Sequence, residues 1–218
     1  MPETMKPARI VIADDHELVR KGLAAVIHEV PDWKVVAEAS NGRQAVEQVA
    51  AHKPDIAIMD LTMPELNGLE ATRQILAAGP QTRVLILTAH ESEQLIREVL
   101  AAGAQGYVLK SDAGRTLVSA VDALLEGGTF FTSKVARMVL EGYLRNPNET
   151  EAIPTLSARE REIVQLLAEG RSNKEVARKL DISVKTAETH RSNIMRKMQF
   201  DSLSDLVRYA VRNKIIDV

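Results

Sequence analysis

Short apolar runs alternate with amphipathic stretches through the first 127 residues. Ile10-Val11-Ile12-Ala13 predicts a strand and Glu17 to Glu29 a helix. The alternation repeats as strand Lys34 to Ala37 and helix Arg43 to Ala51, then strand Ile56 to Met59 and helix Leu69 to Ala78. Strand Val84 to Leu87 precedes helix Glu93 to Ala102, and strand Tyr107 to Leu109 precedes helix Arg115 to Glu126. Runs that are apolar on both faces suit a parallel sheet covered by helices. Five such units predict an α/β domain with a doubly wound, five-stranded parallel sheet.

The pattern changes after Gly127-Gly128. A further helical stretch covers Lys134 to Leu144, and the polar, Pro-containing run Arg145 to Glu151 reads as a linker. Beyond it the periodicity is helical throughout. Ser157 with Glu160 and Ser172 with Glu175 are capping-box patterns, in which hydroxyl and carboxylate satisfy free helix-start amides. Ser183 and Ser202 mark two more starts, less completely. The expected organisation is an α/β domain over 7–128, a helix and linker over 129–154, and an all-α four-helix domain over 155–218.

Charge reinforces this division. Residues 1–156 carry 15 Lys+Arg against 21 Asp+Glu, a balance of −6; residues 157–218 carry 13 against 9, or +4, which together give the chain's −2. A basic rear half is compatible with a polyanionic partner and equally with an ordinary solvated surface. Cysteine is absent, which excludes disulfides and thiolate metal sites and fits a reducing cytoplasm. No apolar stretch approaches the roughly 18 residues of a membrane span. The opening MPETMKPAR does not read as a signal peptide. The expected location is cytoplasmic, with no membrane partner.

The strand ends carry the candidate chemistry. Ligands of open parallel sheets bind at the carboxyl ends of the strands. Here the first strand runs into Asp14-Asp15, the third into Asp60, the fourth into Thr88 and the fifth into Lys110. Clustered carboxylates repel one another unless a cation sits among them. Oxygen ligands favour Mg²⁺, with phosphate oxygens completing its shell. A carboxylate can attack phosphorus and form an acyl phosphate. Lys110 would neutralise a transferring phosphoryl group, and the Thr88 hydroxyl would hydrogen-bond it. Any one of these residues alone is ordinarily a turn, a cap or a solvated charge; the set gathered on one sheet edge is what points to chemistry.

The stretches "IVIADDHELVR", "MDLTMPELNGLE", "LILTAH" and "AAGAQGYVLKSD" resemble the receiver domain of bacterial two-component response regulators, over residues 8–127 and in the family's order. The resemblance implies a flavodoxin-like strand order 2-1-3-4-5 and phosphorylation of Asp60 by a sensor histidine kinase. It implies Mg²⁺ held by Asp15, Asp60 and the Thr62 carbonyl, with Asp14 acting mainly through water. Thr88 and Lys110 would grip the phosphoryl group, and Tyr107 would be an aromatic switch that turns inward. Two other phosphate-handling families fit poorly. A haloacid-dehalogenase-type phosphatase wants an Asp where Thr62 stands. A flavodoxin-type flavin site needs a Ser/Thr-rich loop where Asp14-Asp15-His16 stands.

In the rear half, a helix over 172–180, the turn Asp181-Ile182-Ser183 and a helix from Val184 to about Met198 suggest a helix-turn-helix. On a helical projection, Val184, Ala187, Ile194, Met195 and Met198 share one side. Lys185, Thr189, Ser192 and Arg196 gather opposite, with Glu188 at the edge. "LSAREREIVQLLAEGRSNKEVARKLDISVKTAETHRSNIMRKM" resembles the LuxR-type domain of the NarL/FixJ subfamily. That resemblance puts the 184–198 helix in the DNA major groove. Lys185, Glu188, Thr189 and Ser192 become candidates for base contact, and Ser172, Asn173, Lys174, Thr186, His190, Arg196 and Lys197 for phosphate contact. Ala187 and Arg191 depart from what many relatives carry there.

Together these readings predict a cytoplasmic transcription regulator that is no enzyme beyond slow self-phosphorylation and dephosphorylation. Phosphorylation would drive homodimerisation, release of the recognition helix from the receiver and binding to double-stranded promoter DNA, with RNA polymerase a further partner. Two rivals remain: a phosphorylation-independent dimeriser, against which the intact set of acidic, hydroxyl and lysine residues argues, and a phosphatase or relay carrying a protein-interaction module. The histidines read plainly. His16 opens the first helix, and His28, His52 and His90 lie at the surface or at helix ends. Met59 and Met63 read as packing, and Trp33 as closing the edge of the second strand.

Overall fold

The computed structural model describes residues 7–79, 81–138 and 156–217. The front half is a parallel sheet of β1 (Ala8–Ala13), β2 (Trp33–Ala39), β3 (Ile56–Met59), β4 (Arg83–Thr88), β5 (Gly106–Leu109) and β6 (Phe130–Phe131). Their order is β2-β1-β3-β4-β5-β6. Helices α1 (Glu17–His28), α2 (Gly42–His52), α3 (Gly68–Ala77), α4 (Glu93–Ala101) and α5 (Ala113–Leu125) alternate with the first five strands. Residues 133–138 form the described part of α6. The remainder of the 134–144 stretch and the linker 145–151 lie outside the described residues.

The sixth strand departs from the five-strand expectation. Phe130 and Phe131 pair in parallel with Gly106 and Tyr107. Two residues are too few for an alternation to show, so no periodicity announces this strand.

Side-chain alternation along the strands divides the core in two. Val11, Ala57, Ile86 and Tyr107 point to one face, beneath α2, α3 and α4. Ile10, Ile12, Ile58, Leu85 and Val108 point to the other, beneath α1 and α5. This is the physical meaning of the continuous apolar runs: each strand is buried on both faces. Trp33 is buried at the start of β2, and Met59 and Met63 are buried packing residues.

The rear half packs α7 (Ala158–Ala168), α8 (Asn173–Lys179), α9 (Val184–Lys197) and α10 (Leu203–Arg212) around its own core, which includes Ile163, Leu166, Ala187, Ile194 and Leu206. The capping boxes at Ser157/Glu160 and Ser172/Glu175 are both formed. Ser202 does more than expected: Asp205 completes a reciprocal box with it, a carboxylate one methylene shorter serving in place of Glu.

Two glycines fix the loop between β3 and α3. A Cβ at Gly68 would lie 1.8 Å from the Asp60 carbonyl oxygen, and one at Gly42 would lie 2.1 Å from that of Leu66. Backbone therefore passes where a side chain would stand. Gly68→Ala is expected to cost about 2 kcal/mol or more, through forced displacement of the Asp60 loop. Gly22→Ala, in open space on α1, should instead raise stability by about 0.5–1 kcal/mol. Urea unfolding of the two variants checks both signs.

Candidate functional site

The sheet carries its acidic residues to one edge by continuing the strand ladder beyond the strand ends. Asp60 N donates to the Ala13 carbonyl at 2.8 Å, and Asp14 N to that of Ala39 at 3.1 Å. These bonds set Asp60 beside Asp14, where strand order reverses between β1 and β3. On the next pair of strands, Lys110 N donates to the Thr88 carbonyl at 2.8 Å. Four strand ends thus converge.

Lys110 Nζ lies 2.7 Å from Asp14 Oδ2 and donates a 2.9 Å hydrogen bond to Asp60 Oδ2. The other Asp60 oxygen accepts from Leu61 N at 2.8 Å. Asp14 and Asp60 are buried, at 1% and 4% exposure. Burial drives the Asp60 pKa up to about 6; the hydrogen bond and charge of Lys110 oppose the rise and the Asp14 charge adds to it. Burial also disfavours the Lys110 ammonium, yet hydrogen bonds and charge from Asp14 and Asp60 hold its pKa above the usual lysine value.

Asp14, Asp15, His16 and Asp60 each present a ligand atom, all within 4.8 Å of one another. The buried Asp14 Oδ2 lies 2.7 Å from the Lys110 ammonium, so a bound cation would share that oxygen with it. Such an oxygen-dominated cluster could hold a metal ion. His16 caps α1 beside the acidic pair, as expected, and its Nδ1 sits 2.7 Å from Asp15 Oδ1.

Tyr107, expected to be the aromatic switch, is fully buried in this structure, and its hydroxyl donates to the His90 carbonyl at 2.7 Å. Burial pushes the Tyr107 pKa well above the usual phenol value. His90, expected at the surface or a helix end, is mostly buried. It shares a 2.9 Å hydrogen bond with the Thr62 hydroxyl, and its backbone N–H donates to Thr88 Oγ1 at 3.2 Å. Its importance comes from a packing neighbour 28 residues away, which no local pattern reveals.

The rear half presents a second candidate surface. Lys185, Thr186, Glu188, Thr189, Ser192, Asn193, Arg196 and Lys197 of α9 are exposed, while Ala187 and Ile194 are buried beneath them. Val184, projected onto the apolar side, is in fact 43% exposed, because the first turn of α9 runs past the core. His190 is half-buried, and Arg191 Nη1 reaches Asn173 Oδ1 at 3.5 Å. Ser172 and Lys174 are exposed; the Ser172 hydroxyl already serves the α8 cap. Lys197 pairs with Glu160 at 2.7 Å, so a phosphate would compete with that carboxylate.

Sequence reasoning missed the contact between the halves. Among the described residues, its polar bonds come from α7, from Lys179 and from Asp217, and none comes from α9. The outer face of α9 is exposed and takes no part in these bonds. The buried Glu70 carboxylate receives Arg161 Nε at 2.5 Å and is also paired with Arg73.

A parallel α/β domain with an acid pocket at its strand ends, joined to a helix-turn-helix, defines a response regulator, and the chain belongs to that family. Residues 10–122 match the model of the response regulator receiver domain, and residues 154–210 that of the bacterial regulatory proteins, luxR family. The oxygen regulatory protein NreC of Staphylococcus carnosus strain TM300 is 40% identical over 215 residues, covering 96% of this chain and 99% of that protein. The crystal structure of response regulator ChrA of a heme-sensing two-component system is 34% identical, covering 97% of this chain and 100% of that one, with a TM-score of 0.54. The two-component response regulator RcsB in complex with DNA is 26% identical, covering 93% and 96%, with a TM-score of 0.58.

The raised Asp60 pKa has a consequence for stability. The folded chain holds this proton more tightly than the unfolded chain, so the ionised carboxylate costs stability above about pH 6, and the cost fades as pH falls towards the ordinary 3.8. Asp60→Asn is expected to stabilise the protein in chelator-containing buffer near neutral pH by ~1–3 kcal/mol. Thermal unfolding of both proteins from pH 8 to pH 5 should show the gap closing on the acid side.

Proposed function

We propose that Asp60 accepts a phosphoryl group from a sensor histidine kinase and that the acyl phosphate controls binding of the LuxR-type domain to promoter DNA. The observation that carries this reading is the Lys110 ammonium between the Asp14 and Asp60 carboxylates at the end of β3. An Asp60 oxygen attacks the phosphorus of a phosphohistidine, the P–N bond breaks and the imidazole departs with the electron pair. Lys110, already in contact with Asp60, follows the charge onto the phosphoryl oxygens. The Thr88 hydroxyl, which accepts from His90 N, turns to donate to the same group. Such a movement draws the loop after β4 with it, a population shift between two arrangements of one fold.

Asp14, Asp15, Asp60 and the Thr62 carbonyl would hold Mg²⁺, which supplies charge neutralisation on the transferring group. The chain is an acceptor and carrier, with at most slow self-phosphorylation and dephosphorylation. It works in the cytoplasm. The receiver spans 7–128 and the DNA-binding domain 155–218, joined by a helix and linker over 129–154.

On DNA, Lys185, Glu188, Thr189 and Ser192 read base edges from the major groove. Thr186, His190, Arg196, Lys197 and the Ser172-Asn173-Lys174 start of α8 hold phosphates. A charge of +4 over residues 157–218 makes one copy a weak binder, so a phosphorylation-driven homodimer engaging two half-sites supplies the affinity. RNA polymerase is the further partner of a regulator placed at a promoter. The similarity to RcsB, a two-component response regulator solved in complex with DNA, supports the nucleic-acid reading.

Acetyl phosphate should label the parent protein and leave Asp60→Asn unlabelled. The labelled parent, selected against a random duplex library, should enrich a discrete sequence and bind it with a log–log salt slope of about −4 or steeper. Equal labelling of the Asn variant would remove Asp60 from the acceptor role. Salt-insensitive binding would remove α9 from the groove.

A further inference from the structure

The acceptor loop is held from the other half of the molecule. Gln165 is buried on α7, at 1% exposure. Its Oε1 accepts from Asn67 N at 2.8 Å, and its Nε2 donates to the Met63 carbonyl at 2.8 Å and to Glu169 Oε1 at 2.9 Å. Glu169, one turn further on, accepts from Glu65 N at 2.9 Å. Two side chains of the DNA-binding half therefore bind three backbone groups of the five residues that follow Thr62.

Those residues need holding. Glu65 has φ +69°, a left-handed conformation that costs a non-glycine residue about 1 kcal/mol. It is fixed at its amide by Glu169 and at its side chain by Lys179, 2.5 Å away. Asp14 and Asp60 are held by ladder bonds to the sheet. Thr62 lies in the loop beyond the end of β3. Its hydroxyl is tied to His90, which also faces Asp217 of the rear half at 3.2 Å.

We infer that the first helix of the DNA-binding half positions the acceptor loop for phosphoryl transfer, with Gln165 and Glu169 as positioning residues. The inference rests on the reading of Asp60 as the acceptor. Without the clamp, Glu65 relaxes from its left-handed conformation and the 62–67 backbone loses its set position. Loading of the acid pocket must then order the loop as well as form contacts. Coupling of this kind is reciprocal: a loaded pocket strengthens docking of α7. The outer face of α9 is exposed in the docked chain.

The test uses the full chain as parent, Gln165→Ala, Glu169→Ala and Glu169→Gln, the last retaining an acceptor for Glu65 N. Mg²⁺ binding is measured by calorimetry, amide exchange is followed at residues 63–67, and acetyl phosphate labelling is resolved into maximal rate and half-saturating concentration. Loss of these neutral and charged hydrogen bonds should weaken Mg²⁺ binding and slow maximal labelling by about 3- to 10-fold in the two Ala variants. Exchange at 63–67 should rise, the half-saturating acetyl phosphate should hold, and Glu169→Gln should recover most of the loss. A parent that labels while both Ala variants bind Mg²⁺ and label as well as it does, or faster, overturns the inference. A parent that does not label at all overturns the Asp60 reading instead, and the Mg²⁺ and exchange measurements still decide the clamp.

Discussion

The front half sets a buried carboxylate, Asp60, against the Lys110 ammonium at the end of its central strand. Asp60 stands at the end of a strand buried on both faces, where water is scarce and a second buried carboxylate, Asp14, is its neighbour. Desolvation favours the neutral acid, and the Lys110 ammonium, helped by the Leu61 N–H, pulls the other way. Lone buried charges of this kind are costly, and removing the Lys110 ammonium would leave both carboxylates uncompensated. The fold bears the cost by placing the three groups on rigid strand ends. The arrangement suits a group that is to acquire more negative charge, since the Lys110 ammonium is already in reach.

The loop leaving Asp60 is held by close backbone packing and by side chains from three other segments. Gly42 and Gly68 admit the backbone to positions no side chain allows. Gln165 and Glu169 grip it from α7, and His90 ties Thr62 to the loop after β4. The inferred coupling between Asp60 and the DNA-binding half would run through three backbone groups, at Met63, Glu65 and Asn67, without any long relay. The Glu70–Arg161 pair adds a buried ionic contact beside it. Such pairs contribute little net stability but penalise wrong docking, because separation leaves Glu70 buried without Arg161.

Much of this was legible before any coordinates. Continuous apolar runs such as Ile56 to Met59 are readable because a strand buried on both faces must be apolar at every position. The acid pocket was readable because its members sit at strand ends, where topology brings them together. Ser157 and Ser172 announced their helices by residue type and spacing alone. What escaped was whatever depends on contacts between distant segments. Gln165 looks like any polar helix residue until Asn67 and Met63 come to meet it. His90 looks superficial until Thr62 and Asp217 do. The β6 pair Phe130-Phe131 is too short to have a period. Tyr107 was identified as a switch, but only its packing shows that its ring lies inside.

The central claim is that one carboxylate at one strand end carries the signal. The most direct measurement is chemical trapping: the chain is treated with acetyl phosphate and Mg²⁺, the acyl phosphate is reduced with borohydride, and the reduced residue is located by peptide mass spectrometry. The account predicts reduction at Asp60 alone. Reduction at Asp14 or Asp15, or labelled protein with no reduced aspartate, would contradict it.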